Sequence, residues 1–272
     1  MITTRRTLIL EELGLLPRWV PRTKASDAVE PPDSSSAAVP SQVPGPPLAR
    51  AEHLLSSNAA LPPLAHPATS GEADTAQPVA HMSWPDLREA VRGCTACPLY
   101  ANRKQTVFGV GDERADWLFV GEGPGAEEDA RGEPFVGQAG KLLDNMLAAI
   151  GIKRGNDVYI ANVVKCRPPG NRVPEASEAA RCEPFLTRQI ALIQPKMIIA
   201  LGKTAASNLL GTEASIGSLR GRLHDFHGTA LLVTYHPAYL LRNLPDKAKA
   251  WEDLCLARDT MQRLKSAQAA PK

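Results

Sequence analysis

Residues 116–164 read DWLFVGEGPGAEEDARGEPFVGQAGKLLDNMLAAIGIKRGNDVYIANVV, and the order of apolar runs within them decides the fold. Residues 116–121 (DWLFVG) form a short continuous apolar run closed by glycine, the pattern of a strand covered on both faces. Residues 140–150 then place Leu142, Leu143, Met146, Leu147 and Ile150 on one helical face, and residues 158–164 (VYIANVV) give a second buried strand. A strand, a helix and a strand in this order pair in parallel through a helical crossover.

The alternation continues downstream. Residues 174–193 read as a helix opened by proline. Residues 196–201 (KMIIAL) are a third strand, with a short helix at 204–210 behind it, and residues 230–235 (ALLVTY) are a fourth, followed by a charged amphipathic helix over 246–265. This predicts an α/β fold, a three-layer α/β/α sandwich around a central, mostly parallel sheet. Ligands in such folds sit beyond the carboxyl ends of the strands. The loops at 121–136, 162–172, 202–203 and 236–245 are therefore where chemistry is expected.

Composition divides the chain. Of its 272 residues 43% are hydrophobic and 22% charged, with a formal net charge of +2, but 12 of the 24 prolines fall in residues 1–80. Lys and Arg number 6 against 8 Asp and Glu in that stretch, and 25 against 21 in the remainder. Residues 1–22 carry a short amphipathic pattern cut by Pro17 and Pro21, either a docking element for a protein partner or an element packed on its own domain. Residues 23–80 are rich in Pro, Ala and Ser and lack the apolar content for a core, which predicts a disordered linker. The folded domain is expected over 81–268, with an excess of positive charge that permits a nucleic-acid partner without demanding one. No run of 18 apolar residues occurs, so no membrane partner is expected, and the pattern of the first residues leads to no expectation of export. A soluble cytoplasmic monomer is the expectation.

The cysteines have a spacing of chemical interest. Cys94 and Cys97 form a C-x2-C pair, and Cys166 and Cys182 follow after 68 and then 15 intervening residues. Four thiolates suit tetrahedral zinc or a [4Fe-4S] cluster, and the spacing alone leaves both open. Cys255 stands apart, as a core or free thiol. Two phosphate-loop look-alikes fail. GEGPGA at 121–126 is followed by Glu127, Glu128 and Asp129, which would repel a pyrophosphate, and Gly202-Lys203-Thr204 has Met197 where the first Walker glycine belongs.

The remaining loops suggest a pocket for a nucleotide base. The glycines of 121–125 allow close backbone approach, Phe135 offers a stacking face in a chain only 5% aromatic, and Asn162 ends an apolar strand where a buried amide needs partners. His236 follows the fourth strand, and Leu240, Leu241 and Arg242 suggest an apolar tip beside a cation, a combination that wedges into base stacks.

Taken together, GEGPGAEEDARGEPFVGQAGKLLDNML, YIANVVKCRPPGNRVP, HPAYLLRN and the four cysteines resemble the iron-sulfur, family 4 uracil-DNA glycosylases, over roughly residues 94–264. The resemblance implies the uracil-DNA glycosylase sandwich and a DNA-repair activity that flips deoxyuridine from DNA and hydrolyses its N-glycosidic bond. It further implies a structural [4Fe-4S] cluster on Cys94, Cys97, Cys166 and Cys182, and uracil contacts from Glu122, Gly123, Phe135, Asn162 and His236. His236 and Glu122 are its catalytic candidates, with Leu240, Leu241 and Arg242 facing DNA. A related branch binds uracil-DNA covalently through a histidine at the end of a basic insertion. Residues 217–228 (GSLRGRLHDFHG) lack that insertion, leaving only His224 and His227 as its candidates. A non-catalytic iron-sulfur DNA-binding protein that recruits partners and a zinc-containing nucleotide-binding protein are the competing classes.

Overall fold

The computed structural model describes residues 76–269. The amphipathic segment at 1–22 and almost all of the linker predicted over 23–80 lie outside them. The first helices are α1 (Ala76–His81) and α2 (Trp84–Gly93). Val79 on α1 is buried against the core, so the folded part begins a few residues before the boundary read from composition. After a 3-10 turn at Pro98–Ala101 come β1 (Val110–Gly111), β2 (Trp117–Gly121), α3 (Ala126–Arg131), α4 (Gln138–Ala149) and β3 (Val158–Asn162). The chain continues through a turn at Pro169–Asn171, α5 (Ala176–Ile193), β4 (Met197–Leu201), α6 (Lys203–Leu210) and α7 (Ile216–Leu219). It ends with β5 (Leu223–Phe226), β6 (Thr229–Thr234), α8 (Pro237–Leu240), a turn at Leu244–Asp246 and α9 (Lys247–Ala269).

The sheet order is β1-β3-β2-β4-β6-β5. The four inner strands are those legible as apolar runs, and they pair in parallel, while β1 and β5 add antiparallel edges. Alternation along β2 and β4 explains the three layers. Leu118, Val120, Ile198 and Ala200 face a core closed by α2, α5 and α6. Trp117, Phe119, Met197 and Ile199 face the opposite core, closed by α4 and α9. β2, β3 and β4 are buried along their whole length, and β6 over its last four residues, because both faces are covered there.

The chain leaves β2 towards β3 on one side, then crosses back to β4 on the other. The loops after β2 and β4 therefore diverge and open a crevice at the carboxyl edge, where ligands settle in open α/β sheets.

Candidate active site

A cleft of about 510 Å³ occupies that crevice. Its lining brings together Glu122, Gly123, Phe135, Asn162, His236 and Arg242 from three separate loops. Gly121 pairs with Asn162 at the ends of β2 and β3, and this register delivers the amide to the floor of the cleft. A Cβ at Gly121 would lie 2.5 Å from Asn162 Oδ1 and 2.6 Å from the Phe135 ring, so only glycine allows the strand, the amide and the ring to meet.

Asn162 is buried, and its Oδ1 has no hydrogen-bond partner. A buried acceptor without a partner is costly and calls for a ligand donor. Its backbone is fixed from below, since the Lys165 ammonium donates to the Asn162 carbonyl at 2.8 Å and to Gln189 Oε1 at 2.6 Å.

His236 stands over the other side of the cleft, its ring centroid 5.5 Å from that of Phe135. Its Nδ1 accepts the Ala238 backbone N–H at 3.1 Å, so in the neutral ring Nε2 carries the proton. Burial, with a contribution from the Arg242 guanidinium, pushes the imidazole down to about 4. At neutral pH this histidine is an uncharged donor.

Glu122 is held by Thr204, whose hydroxyl donates to Glu122 Oε2 at 2.5 Å across the gap between the β2 and β4 loops. The failed Walker sequence thus has a use: Thr204 orients a cleft carboxylate, and Lys203 pairs outward with Glu213. Several lining residues went unread in the sequence. Arg172 reaches the cleft edge while its guanidinium binds the buried Glu178 carboxylate through two bonds of 2.8 and 2.7 Å. That pairing holds the Glu178 carboxyl below its ordinary range. Val173 beside it is 62% exposed, and Glu128 caps the glycine-rich loop by accepting the Gly125 N–H. Arg172 and Val173 lie in the turn before α5, and only the tertiary fold brings that turn to the cleft.

One expectation fails. Leu240, placed on the DNA-facing tip by sequence, is 1% exposed and packs into the core. Residues 237–240 form a helical turn, and successive residues of a helix point in different directions, so the two leucines cannot share one surface. Leu241 is exposed, Leu244 more so, and Arg242, without a carboxylate partner among the described residues, lines the cleft. His224 and His227 do not line it, and His224 Nε2 lies 2.7 Å from the Leu219 carbonyl oxygen.

The four cysteines surround a second, smaller cavity. Cys94 and Cys97 come from the segment after α2, Cys166 from the loop after β3 and Cys182 from α5. Arg103 Nη1 donates to Cys166 Sγ at 3.0 Å, and the Lys165 amide donates to Cys182 Sγ at 3.3 Å. Burial raises the thiols of Cys97 and Cys166 and pushes Cys182 up to about 12. Among the described residues no three Cys, His, Asp or Glu side chains are placed to hold a single metal ion. Nor is any helix there long and apolar enough to cross a membrane.

A family model for the uracil DNA glycosylase superfamily matches residues 108–255. The chain is 52% identical over 159 residues to the type-4 uracil-DNA glycosylase of Thermotoga maritima, covering 58% of this chain and 82% of that protein. It is 41% identical over 183 residues to the type-4 enzyme of Pyrobaculum aerophilum, 64% of this chain and 93% of the relative. With the type-5 uracil-DNA glycosylase of the same organism it shares 26% over 188 residues, 57% of this chain and 82% of the relative.

Proposed function

This chain belongs to the uracil DNA glycosylase superfamily, and from that premise we propose how its residues release uracil from DNA. The observation that carries the reading is the convergence, in one cleft, of an unpartnered buried amide oxygen, an aromatic face and a neutral histidine whose free N–H is defined.

A base within the stack cannot reach such a floor, so deoxyuridine is extruded, at a cost of a few kcal/mol recovered in the pocket. Leu241 and Arg242 hold the opened strand, helped by the exposed Val173 that also lines the cleft. Phe135 stacks on the uracil face. Asn162 Oδ1 accepts the uracil N3–H and its amide group donates to O4. Cytosine inverts that pattern and would leave buried polar groups unpaired, a loss of roughly 1 to 3 kcal/mol for each.

As the C1′–N1 bond breaks, its electron pair leaves with the base and negative charge gathers on uracil O2. His236 Nε2–H donates to that oxygen without needing to be charged. Water adds to C1′ and yields its proton, and the uracil anion takes up a proton on release, leaving an abasic site. Glu122, fixed through one oxygen by Thr204, has the other free to orient the water. Stabilisation of the leaving group supplies most of the acceleration.

Cys94, Cys97, Cys166 and Cys182 would hold the [4Fe-4S] cluster. The donor set fits it: four thiols spread round one cavity, met by N–H donors from Arg103 and Lys165, suit a cluster with several irons more than a lone tetrahedral ion. When bound, the cluster supplies a covalent tie between three segments, and no step of the reaction passes through it. Iron and sulfide in anaerobically purified protein support this assignment, and stoichiometric zinc overturns it.

The test of function is incubation of a uracil-containing oligonucleotide with wild-type, His236→Ser and Asn162→Ala proteins, followed by alkaline cleavage of abasic sites. Strand breaks with wild type, and far fewer over the same time with both variants, are expected. Absence of breaks with wild type overturns the reading. The covalent alternative has no support in the site, since neither of its candidate histidines reaches the cleft.

A further inference from the structure

Phe135 is a bulky residue in the left-handed backbone region, with φ of 55°. This conformation is unfavourable for a side chain of its size and persists only where the surroundings impose it. The structure shows what imposes it. Arg154, in the turn between α4 and β3 and outside the cleft, extends its guanidinium across two successive carbonyls. Nη1 donates to Pro134 O and Nη2 to Phe135 O, each at 2.8 Å. The fork is itself aimed by Asp144 on α4, which accepts from Arg154 Nε at 3.0 Å. On the far side, Glu128 Oε1 accepts the N–H groups of Val136 and Gly137 at 2.9 and 3.0 Å.

Both peptide planes flanking Phe135 are therefore fixed. The plane before it is held by its carbonyl, and the plane after it by its carbonyl from Arg154 and by its N–H from Glu128. Gly140 completes the seat, since a Cβ there would lie 1.7 Å from the Phe135 carbonyl oxygen.

We propose that Arg154 is a positioning residue for base recognition: its fork on the Pro134 and Phe135 carbonyls keeps the Phe135 ring facing the cleft. This rests on the reading of Phe135 as the surface that stacks on the flipped base. Arg154 touches no DNA and acts only through that ring. A lysine cannot replace it, because an ammonium is a point donor and cannot span two carbonyls in the planar geometry of a guanidinium.

The test is a double-variant cycle with Arg154→Ala, Arg154→Lys, Phe135→Ala and the pairing of Arg154→Ala with Phe135→Ala. Three quantities are read: kcat/KM on a uracil oligonucleotide, Kd for a duplex carrying a non-cleavable deoxyuridine analogue, and Kd for a duplex carrying an abasic-site analogue. Each Arg154 variant is expected to lose about tenfold in kcat/KM and in affinity for the uracil analogue, with abasic affinity unchanged. Added to Phe135→Ala, the Arg154 change is expected to cost nothing further. Arg154→Lys keeps the charge beside Asp144 and Glu133, so it serves if Arg154→Ala does not fold. Equal losses on uracil and abasic DNA, full additivity in the paired variant, or wild-type behaviour of Arg154→Lys would overturn the proposal. If Phe135→Ala itself leaves uracil binding intact, the stacking reading is what fails.

Discussion

The cleft and the cysteine site share a stretch of chain, with Asn162 and Cys166 four positions apart, yet they are built in opposite ways. The cleft is set by the sheet. Its amide, ring and imidazole hang from the carboxyl ends of parallel strands and are held by hydrogen bonds within the protein. Asn162 Oδ1 is buried without a partner and is left open to a ligand donor. The cysteine site is gathered from segments far apart in sequence, and burial pushes the Cys182 thiol up to about 12. One site is complete and waits for its ligand. The other would be completed by the proposed cluster, and Lys165 touches both, through its ammonium to the Asn162 carbonyl and through its amide to Cys182.

The largest effect should come from the cysteine side. Cys182→Ser is expected to abolish cluster content and lower Tm by ten degrees or more, on the order of the loss of a structural metal. Metal analysis and thermal unfolding of the purified variant check this, and an unchanged Tm would separate the two sites. The cleft should respond differently. His236→Ala is expected to lower kcat by about 10² to 10³ with cluster content and Tm near wild type, as for removal of one preset donor. Single-turnover kinetics read this directly.

Asn162→Ala should reduce uracil excision by about tenfold or more and narrow the preference for uracil over cytosine, because the unpaired-group penalty against the wrong base disappears. Competition between the two oligonucleotides measures it. Thr204→Val, which removes the bond to Glu122, is expected to cost only a few-fold in kcat. A loss as large as that of His236→Ala would make the Glu122 carboxylate, and not the leaving-group donor, the main contributor.

Acid should distinguish the regions too. His236 is held at about 4 in the folded protein against an ordinary 6.5. The unfolded chain therefore takes up its proton first as pH falls. The stability linked to this group is present above pH 6.5 and is lost between 6.5 and about 4. Wild type should lose Tm across that window more steeply than His236→Ala, and the acid limb of kcat should lie near 4 rather than 6.5.

How much of this was legible in sequence follows from the same contrast. The inner strands announced themselves because burial on both faces demands unbroken apolar runs, as in Met197–Leu201. The edge strands did not: Val110–Gly111 is too short for a period, and Leu223–Phe226 is exposed or half-buried throughout. Asn162, Phe135 and His236 stood out as residue types at odds with their surroundings. Arg154 could not stand out, and Glu128 and Thr204 drew notice only as parts of failed phosphate loops, because their work is to hold backbone or another side chain across the fold. Leu240 was misplaced because two adjacent leucines look alike until a helical turn sends one into the core.

The central claim is that the cleft breaks the bond to uracil by holding the leaving base. Its most direct test is mass spectrometry of the products from a uracil-containing oligonucleotide mixed with wild-type protein and with His236→Ala. Free uracil and an abasic strand are expected with wild type, and neither above background with the variant over the same time. A protein–DNA adduct in place of free uracil, or equal release by the two proteins, would contradict it.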